Sequence, residues 1–150
     1  MKKSLLFLVA TGLIFLLGCT CEKENPIEGF WDLQYYEWSS PDTTVIFKRT
    51  EFDRQIKVFG KEHFTFTLQY LKNDSVRSLH TDGGGGTYAV KGDTLIETIQ
   101  IFPGKDALGH SMTYQFKISG DTLVQTGPVT EDVPDSWKGW KGMEIYTRLE

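Results

Sequence analysis

Cysteine and histidine are scarce in this 150-residue chain. The two cysteines, Cys19 and Cys21, lie close together, so no internal disulfide can cross-link the rest of the chain. The three histidines, His63, His80 and His110, include no pair at metal-ligand spacing. No arrangement of Ser, Cys or His indicates a nucleophile with its base. We therefore predict neither a metal site nor a cofactor, and a protein that is not an enzyme.

Positive charge is also in short supply. The chain has 16 Lys and Arg against 20 Asp and Glu, a net charge of −4. Binding to phosphate backbones requires a basic surface, so the composition predicts no nucleic-acid partner. It also argues against electrostatic docking to an anionic membrane.

Long hydrophobic runs are absent, with one exception near the N-terminus. The apolar run Leu5–Leu17 is shorter than the roughly 20 residues of a permanent membrane-spanning helix. With Lys2 and Lys3 before it, the run matches an export signal. It ends in Leu-Leu-Gly-Cys at 16–19, which resembles the lipobox of bacterial lipoproteins. The alternative is a buried helix with a chance cysteine.

The lipobox resemblance implies that residues 1–18 are a signal peptide and that Cys19 carries lipid. Residues 19–26 then form a lipidated tether, in which Cys21 is interpreted as an inert thiol. Loss of two lysines with the signal lowers the basic count from 16 to 14 against 20 acidic residues, giving −6. The expected location is the outer membrane of a Gram-negative bacterium, at the periplasmic face or the cell surface. Residues 27–150 are long enough for one domain with its own core.

From position 27 onward, the sequence alternates between apolar and polar residues with period two. The segments HFTFTLQY at 63–70 and SMTYQFKIS at 111–119 show this most clearly. Such alternation predicts strands with one buried and one solvated face. We predict strands near 29–38, 43–49, 54–60, 63–71, 86–91, 93–102, 111–119, 121–126 and 142–149. The longest predicted irregular pieces are 72–85, 103–110 and 127–141, none with an evident helical lid.

Two predicted hairpins share one pattern. TYAVKGDTLIET at 87–98 and TYQFKISGDTLVQT at 113–126 both contain Gly-Asp-Thr-Leu, a tight-turn signal between strands. Consecutive hairpins with every strand patterned in and out predict a meander. Such a meander avoids open edges by closing, so the predicted fold is an all-β, antiparallel, up-and-down barrel of about eight strands.

Several short motifs resemble those of a known family. Gly29-Phe30-Trp31 looks like the G-x-W signature of lipocalins. The two Gly-Asp turns and the closing Glu144-x-Tyr146-x-Arg148 are similar to lipocalin-like domains of small Gram-negative lipoproteins. The resemblance implies that Trp31 plugs the closed end of a barrel and that Arg148 packs across it. Physically, this would be a cation–π contact of about 0.5–2 kcal/mol.

Four consecutive glycines, Gly83–Gly86, invite comparison with phosphate-binding loops. A phosphate cradle requires a Gly-Lys-Ser/Thr sequence that leads into a helix. Here the glycines lead into a strand without a lysine. We predict a flexible loop or a bulge at the barrel rim instead.

Glu97 is the most informative charged residue. Its alternation partners Leu95 and Ile99 are apolar, so the carboxylate is predicted to point into the barrel. A buried carboxylate must be paired or protonated, and the expected partners are Arg148, Tyr88 or Tyr114. It would serve either as a polar handle in a ligand cavity or as part of a structural network in a filled barrel.

The first functional hypothesis is a binding module for a small, mostly apolar molecule. The predicted ligand-binding residues are Tyr35, Phe64, Phe66, Leu68, Tyr88, Glu97, Tyr114 and Phe116. The second hypothesis is a protein-interaction or inhibitor lipoprotein that uses the 127–141 loop, where Trp137 and Trp140 would bind a partner. These tryptophans could equally cap the barrel, meet a membrane interface or fold back on the barrel. An enzyme that uses Glu97 as acid or base is the least favoured class.

Overall fold

The computed structural model describes residues 25–50, 53–72, 75–128 and 132–149, with residues 71–80 described as backbone only. The predicted signal peptide, Cys19, Cys21 and most of the predicted tether lie outside these ranges. The side chain of His80 is likewise not described.

Nine strands account for most of the described chain. They are β1 (Gly29–Ser39), β2 (Thr44–Lys48), β3 (Arg54–Phe59), β4 (His63–Lys72), β5 (Ser75–Lys91), β6 (Thr94–Ile101), β7 (Ser111–Ser119), β8 (Thr122–Gly127) and β9 (Lys141–Leu149). Two single turns of 3₁₀ helix occur, at Lys105–Ala107 and Asp135–Trp137. In the described ranges, therefore, no helix has the length and apolar character needed to cross a bilayer.

The strands close into a barrel. Every neighbouring pair is antiparallel, and β1 pairs with β9 as well as with β2 and β3. The first half of β1 pairs with β3 and the second half with β2, so these two short strands share one position in the wall. The result is a closed, eight-position, up-and-down antiparallel barrel, which confirms the predicted fold class. Closure removes the exposed edges that a flat sheet of this size would present.

One end of the barrel is closed by the chain that precedes β1. Ile27 and Trp31 are both fully buried, and Trp31 Nε1 donates a hydrogen bond of 2.7 Å to the carbonyl of Ile27. The guanidinium carbon of Arg148 lies 4.1 Å from the Trp31 ring centroid. Its two terminal nitrogens donate to the carbonyls of Glu28 and Pro26, each at 2.7 Å. The predicted contact between Trp31 and Arg148 is thus confirmed.

The glycine run lies within β5, so the prediction of a flexible rim loop is wrong, as is that of an irregular segment at 72–85. Gly83–Gly86 pair with β4 across a regular ladder. A register shift against β6 falls between Gly85 and Gly86, so the predicted bulge is present at this point. A Cβ atom on Gly86 would lie 1.9 Å from the carbonyl oxygen of Thr98. The glycines therefore allow close backbone approach rather than flexibility.

Two connections cover the open end of the barrel. The segments predicted as irregular, 103–110 and 127–141, each contain one 3₁₀ turn. Ser136 donates a hydrogen bond to the carboxylate of Asp106, and His110 Nδ1 lies 3.1 Å from an Asp132 carboxylate oxygen. These contacts join the two connections to each other above the barrel mouth.

Candidate functional site

The open half of the barrel contains a cavity of about 450 Å³. Seven strands, Phe102 directly after β6 and the connection before β9 contribute to it. The residues that line it are Tyr36, Trp38, Val45, Gln55, Lys57, Phe66, Glu97, Ile99, Phe102, Met112, Tyr114, Ser136, Trp137, Trp140, Glu144 and Tyr146. Most of the lining is apolar or aromatic, and the charged groups are few.

A bulge in β1 determines which aromatic residues of this strand face the cavity. Leu33 pairs with Tyr146 and Tyr35 with Ile145, so Gln34 is an extra residue without a counterpart on β9. The alternation shifts by one position beyond this bulge. Tyr36 and Trp38 therefore line the cavity, and Tyr35 points outward. The Tyr35 hydroxyl donates to the exposed Glu37 carboxylate at 2.7 Å.

The prediction that Tyr35 lines the interior is therefore wrong. Of the eight predicted lining residues, three contribute to the cavity: Phe66, Glu97 and Tyr114. Phe64 and Tyr88 are buried, but both belong to the packed closed half. Their rings lie 6.1 and 5.0 Å from that of Phe59, centroid to centroid.

Leu68 and Phe116 are partly buried against the core and lie outside the cavity lining, which corrects two further predictions. Leu68 on β4 is paired with Gln55 on β3, and of these two residues only Gln55 lines the cavity. Phe116 sits towards the closed end, where its amide nitrogen donates to the carbonyl of Asp93 in a hairpin turn.

Trp137 and Trp140 both line the mouth of the cavity. The Trp137 ring meets that of Phe102 edge-on, with centroids 5.7 Å apart. This contact ties the 3₁₀ turn at Asp135–Trp137 to the end of β6. Both tryptophans are partly exposed, so their outer surfaces reach solvent at the rim.

At the floor of the cavity lies a buried ion pair. Lys57 Nζ is 2.6 Å from Glu97 Oε1, and the two side chains are 5% and 3% exposed. The predicted inward orientation of Glu97 is confirmed, but its partner is Lys57 rather than Arg148, Tyr88 or Tyr114. Burial raises the pKa of Glu97 above its ordinary value, and the nearby Lys57 charge opposes this rise.

Aromatic rings surround the Lys57 ammonium. The nitrogen lies 5.3 to 5.9 Å from the ring centroids of four residues: Phe59, Phe64, Tyr114 and Tyr146. Cation–π attraction partly replaces the water that the ammonium loses on burial. The lysine thus stands at the boundary between the packed half and the hollow half.

A second carboxylate lies higher on the wall. Glu144 Oε1 accepts from Trp38 Nε1 at 3.1 Å, and Oε2 accepts from the Tyr146 hydroxyl at 2.6 Å. Gln55 Nε2 donates to the same hydroxyl at 3.3 Å. Burial, together with the negative charge of Glu144, raises the pKa of Tyr146 well above its ordinary value. Tyr146 therefore acts as a neutral hydrogen-bond donor at the floor.

Two charged residues of the lining, Lys57 and Glu144, were not among the residues predicted to line the cavity. Alternation in RQIKVF places Lys57 on the same face as Phe59, so a signal for an inward lysine was present. Glu144 shares a face with Tyr146 and with Arg148, which the resemblance had placed near the closed end. In the described part of the chain, no three His, Cys, Asp or Glu side chains come together as a metal site would require.

Comparison with solved structures finds two bacterial proteins. A lipocalin-like protein from Bacteroides uniformis has 18% sequence identity and a TM-score of 0.45, with 82% of this chain and 98% of that chain covered. An uncharacterized protein from Bacteroides eggerthii has 15% identity and a TM-score of 0.45, with 82% and 99% covered. No model of a protein family matches the chain, and neither does any curated protein. The barrel architecture accordingly rests on the strand pairing itself.

Proposed function

We propose that the barrel binds one small, mostly apolar molecule through its open end. The supporting observation is the cavity of about 450 Å³, which lies in a barrel whose other half is filled with side chains. Small-molecule sites typically measure about 300–1,000 Å³ and combine apolar walls with a few placed polar groups. The aromatic walls and the Lys57, Glu97 and Glu144 side chains have this composition.

A fluorescent probe tests this proposal. N-phenyl-1-naphthylamine is neutral and apolar, and its emission rises when it leaves water. We expect saturable binding to the purified protein. Val45→Trp should abolish this binding, because Val45 lines the mouth and a larger ring there obstructs access.

Ile46→Trp is the matched control. Ile46 is the next residue of β2, is 55% exposed and does not line the cavity. We expect this variant to bind the probe as the original protein does. Equal binding by both variants would place the probe outside the cavity and contradict the proposal. If Val45→Trp alone abolishes binding, native mass spectrometry of residues 22–150 from the periplasm of the host would give the mass of a retained natural ligand.

Protein interaction through the 127–141 connection is the alternative function. Its support is the partial exposure of Trp137 and Trp140 at the rim. A complex that Trp140→Ala breaks, from a protein that takes up no probe, would favour this alternative.

We assign no catalytic role to Glu97. Acid–base catalysis needs a carboxyl group that can reach a substrate proton. The Glu97 carboxylate is instead 2.6 Å from Lys57 and buried with it. This arrangement favours a role for Glu97 as part of the polar floor of the cavity rather than as an acid or base in catalysis.

We also propose that the protein is an outer-membrane lipoprotein held by lipid on Cys19. The support is the sequence motif alone. Cys19→Ala should release the protein from the membrane fraction and remove the mass of the acyl groups, whereas Cys21→Ala should do neither. Membrane association that survives Cys19→Ala would contradict the proposed anchor.

A further inference from the structure

The charges that face the cavity do not balance. Among the described lining residues, Lys57 is the single basic side chain, and it is matched by Glu97 at 2.6 Å. Glu144 forms no salt bridge with any described residue. One negative charge therefore remains without a cationic partner on the wall of a mostly apolar cavity.

Glu144 also retains unused acceptor capacity. A carboxylate offers about four lone-pair positions, and two of them are taken by Trp38 and Tyr146. The side chain is only partly buried, so its remaining positions face the cavity that it lines. A donor from a bound molecule can therefore reach this carboxylate without displacing either existing bond.

A buried amide lies beside it. Gln125 on β8 is directly opposite Glu144 in the ladder and is 1% exposed. Neither polar atom of its side chain has a hydrogen-bond partner among the described residues. The side chains around Glu144 thus have donor and acceptor atoms that form no hydrogen bond with a described residue.

The walls above Glu144 suit a positive charge as well. Three of the four tryptophans in the chain, Trp38, Trp137 and Trp140, line the cavity. Aromatic faces attract ammonium groups, and the attraction grows when the cation is desolvated. An anion would instead meet two carboxylates, with Lys57 already occupied.

We propose that the cavity selects a cationic ligand: an amine or quaternary ammonium group carried on an apolar body, with the charge at Glu144 and the body among the tryptophans. This inference rests on the proposed function, because it names the chemical class of the molecule that the cavity binds. It adds that the charge of the ligand, and not only its apolar area, determines which molecule the cavity binds.

The test compares three naphthalene compounds of matched size. They are 2-naphthylmethylamine, which is cationic, 2-naphthylmethanol, which is neutral, and 2-naphthoate, which is anionic. Each is titrated into the purified protein with N-phenyl-1-naphthylamine bound, and the displacement of this probe is measured. We expect the amine to bind most tightly, by about tenfold over the alcohol, and the carboxylate to bind most weakly.

Glu144→Gln should remove the preference for the amine and leave the affinity for the alcohol nearly unchanged. Glu37→Gln is the control, because Glu37 is an exposed carboxylate on the outer face of β1 and its loss changes the net charge equally. Should Glu144→Gln fail to fold, the order of the three compounds on the original protein still decides the question.

The outcomes separate the two proposals. Equal or tighter binding of the alcohol than of the amine overturns the charge proposal and leaves the binding function standing. Displacement by none of the compounds, with no probe binding, overturns both. An amine preference that Glu37→Gln removes as fully as Glu144→Gln shows a general charge effect and overturns the assignment to Glu144.

Discussion

The two halves of the barrel are built from the same strands but filled differently. In the closed half, Trp31, Phe59 and Leu123 are buried to at least 98%, and the chain before β1 lies across the end. In the open half, the strands carry large aromatic residues around a cavity. A barrel of about eight strands has room either for side chains or for one small ligand. This protein combines the two arrangements along a single axis.

The boundary between the halves is marked by charge. Lys57 touches the aromatic rings of the closed half and pairs with Glu97, which lines the cavity. Stability and binding should therefore separate experimentally. Substitutions in the closed half should change the free energy of unfolding, and those in the open half should change ligand affinity.

The largest effect on stability is expected from Trp31→Ala. The change removes a fully buried indole, its hydrogen bond to Ile27 and the surface on which Arg148 stacks. We expect the free energy of unfolding to fall by about 3–5 kcal/mol in urea denaturation. Probe affinity of the folded fraction should stay the same. A loss of less than about 1 kcal/mol would show that the closed end is not the stabilising half.

Lys57→Met should have the next largest effect. It leaves the Glu97 carboxylate buried without its cation, at a cost of about 3 kcal/mol near neutral pH. The double variant Lys57→Met/Glu97→Leu should recover most of this loss, because it removes both charges. A double variant as unstable as the single one would mean that packing, rather than charge, accounts for the effect.

The stability of Lys57→Met should also depend on pH. Burial already raises the Glu97 pKa from 4.5, and loss of the opposing Lys57 charge raises it further. A raised pKa means that the folded state holds the proton more tightly than the unfolded state. The stabilising contribution is thus complete below the unfolded value and is lost as pH rises through the folded value. We expect the deficit against the original protein to be smallest at and below about pH 4.5 and to grow towards neutrality.

Gly86→Ala tests the close approach of β5 to β6. The added Cβ would lie 1.9 Å from the Thr98 carbonyl oxygen, so the backbone must move. We expect a loss of about 1–3 kcal/mol. In the control Gly60→Ala, the nearest atom is the His63 carbonyl oxygen at 3.5 Å, an ordinary contact. That variant should stay within about 0.5 kcal/mol of the original protein.

The smallest effect on stability is expected from Trp140→Ala at the rim. Its partly exposed side chain contributes little to the core, so unfolding should change by no more than about 1 kcal/mol. Probe affinity should fall, since Trp140 lines the cavity. A large fall in the free energy of unfolding with unchanged probe affinity would invert the comparison between the two halves.

Sequence patterns were sufficient to predict the architecture and the packing at the closed end of the barrel. Period-two alternation predicted the strands, and the G-x-W motif located Trp31 against Arg148. Tyr35 was misplaced because Gln34 gives no sign in the sequence that it is an extra residue. The glycine run was read as flexible because composition does not reveal that neighbouring carbonyl groups exclude a Cβ atom.

The ion-pair partner of a buried charged residue was harder to predict than the face of the strand on which the residue lies. The inward orientation of Glu97 followed from its apolar neighbours, but pairing requires knowledge of which strands lie across the interior. Lys57 is on β3 and Glu97 on β6, two positions that only barrel closure brings together. A lysine in a six-residue strand is otherwise expected at the surface.

The extra residue in β1 has a consequence for comparing such a cavity between relatives. Because Gln34 has no counterpart on β9, the interior face passes from odd-numbered to even-numbered residues at this point. A three-nucleotide deletion that removed Gln34 would restore strict alternation and leave Tyr36 and Trp38 facing inward. A relative of equal length without the bulge would instead present Tyr35 and Glu37 to the cavity. A change in strand pairing alone could thus replace two aromatic residues of the lining, with no substitution in the strand.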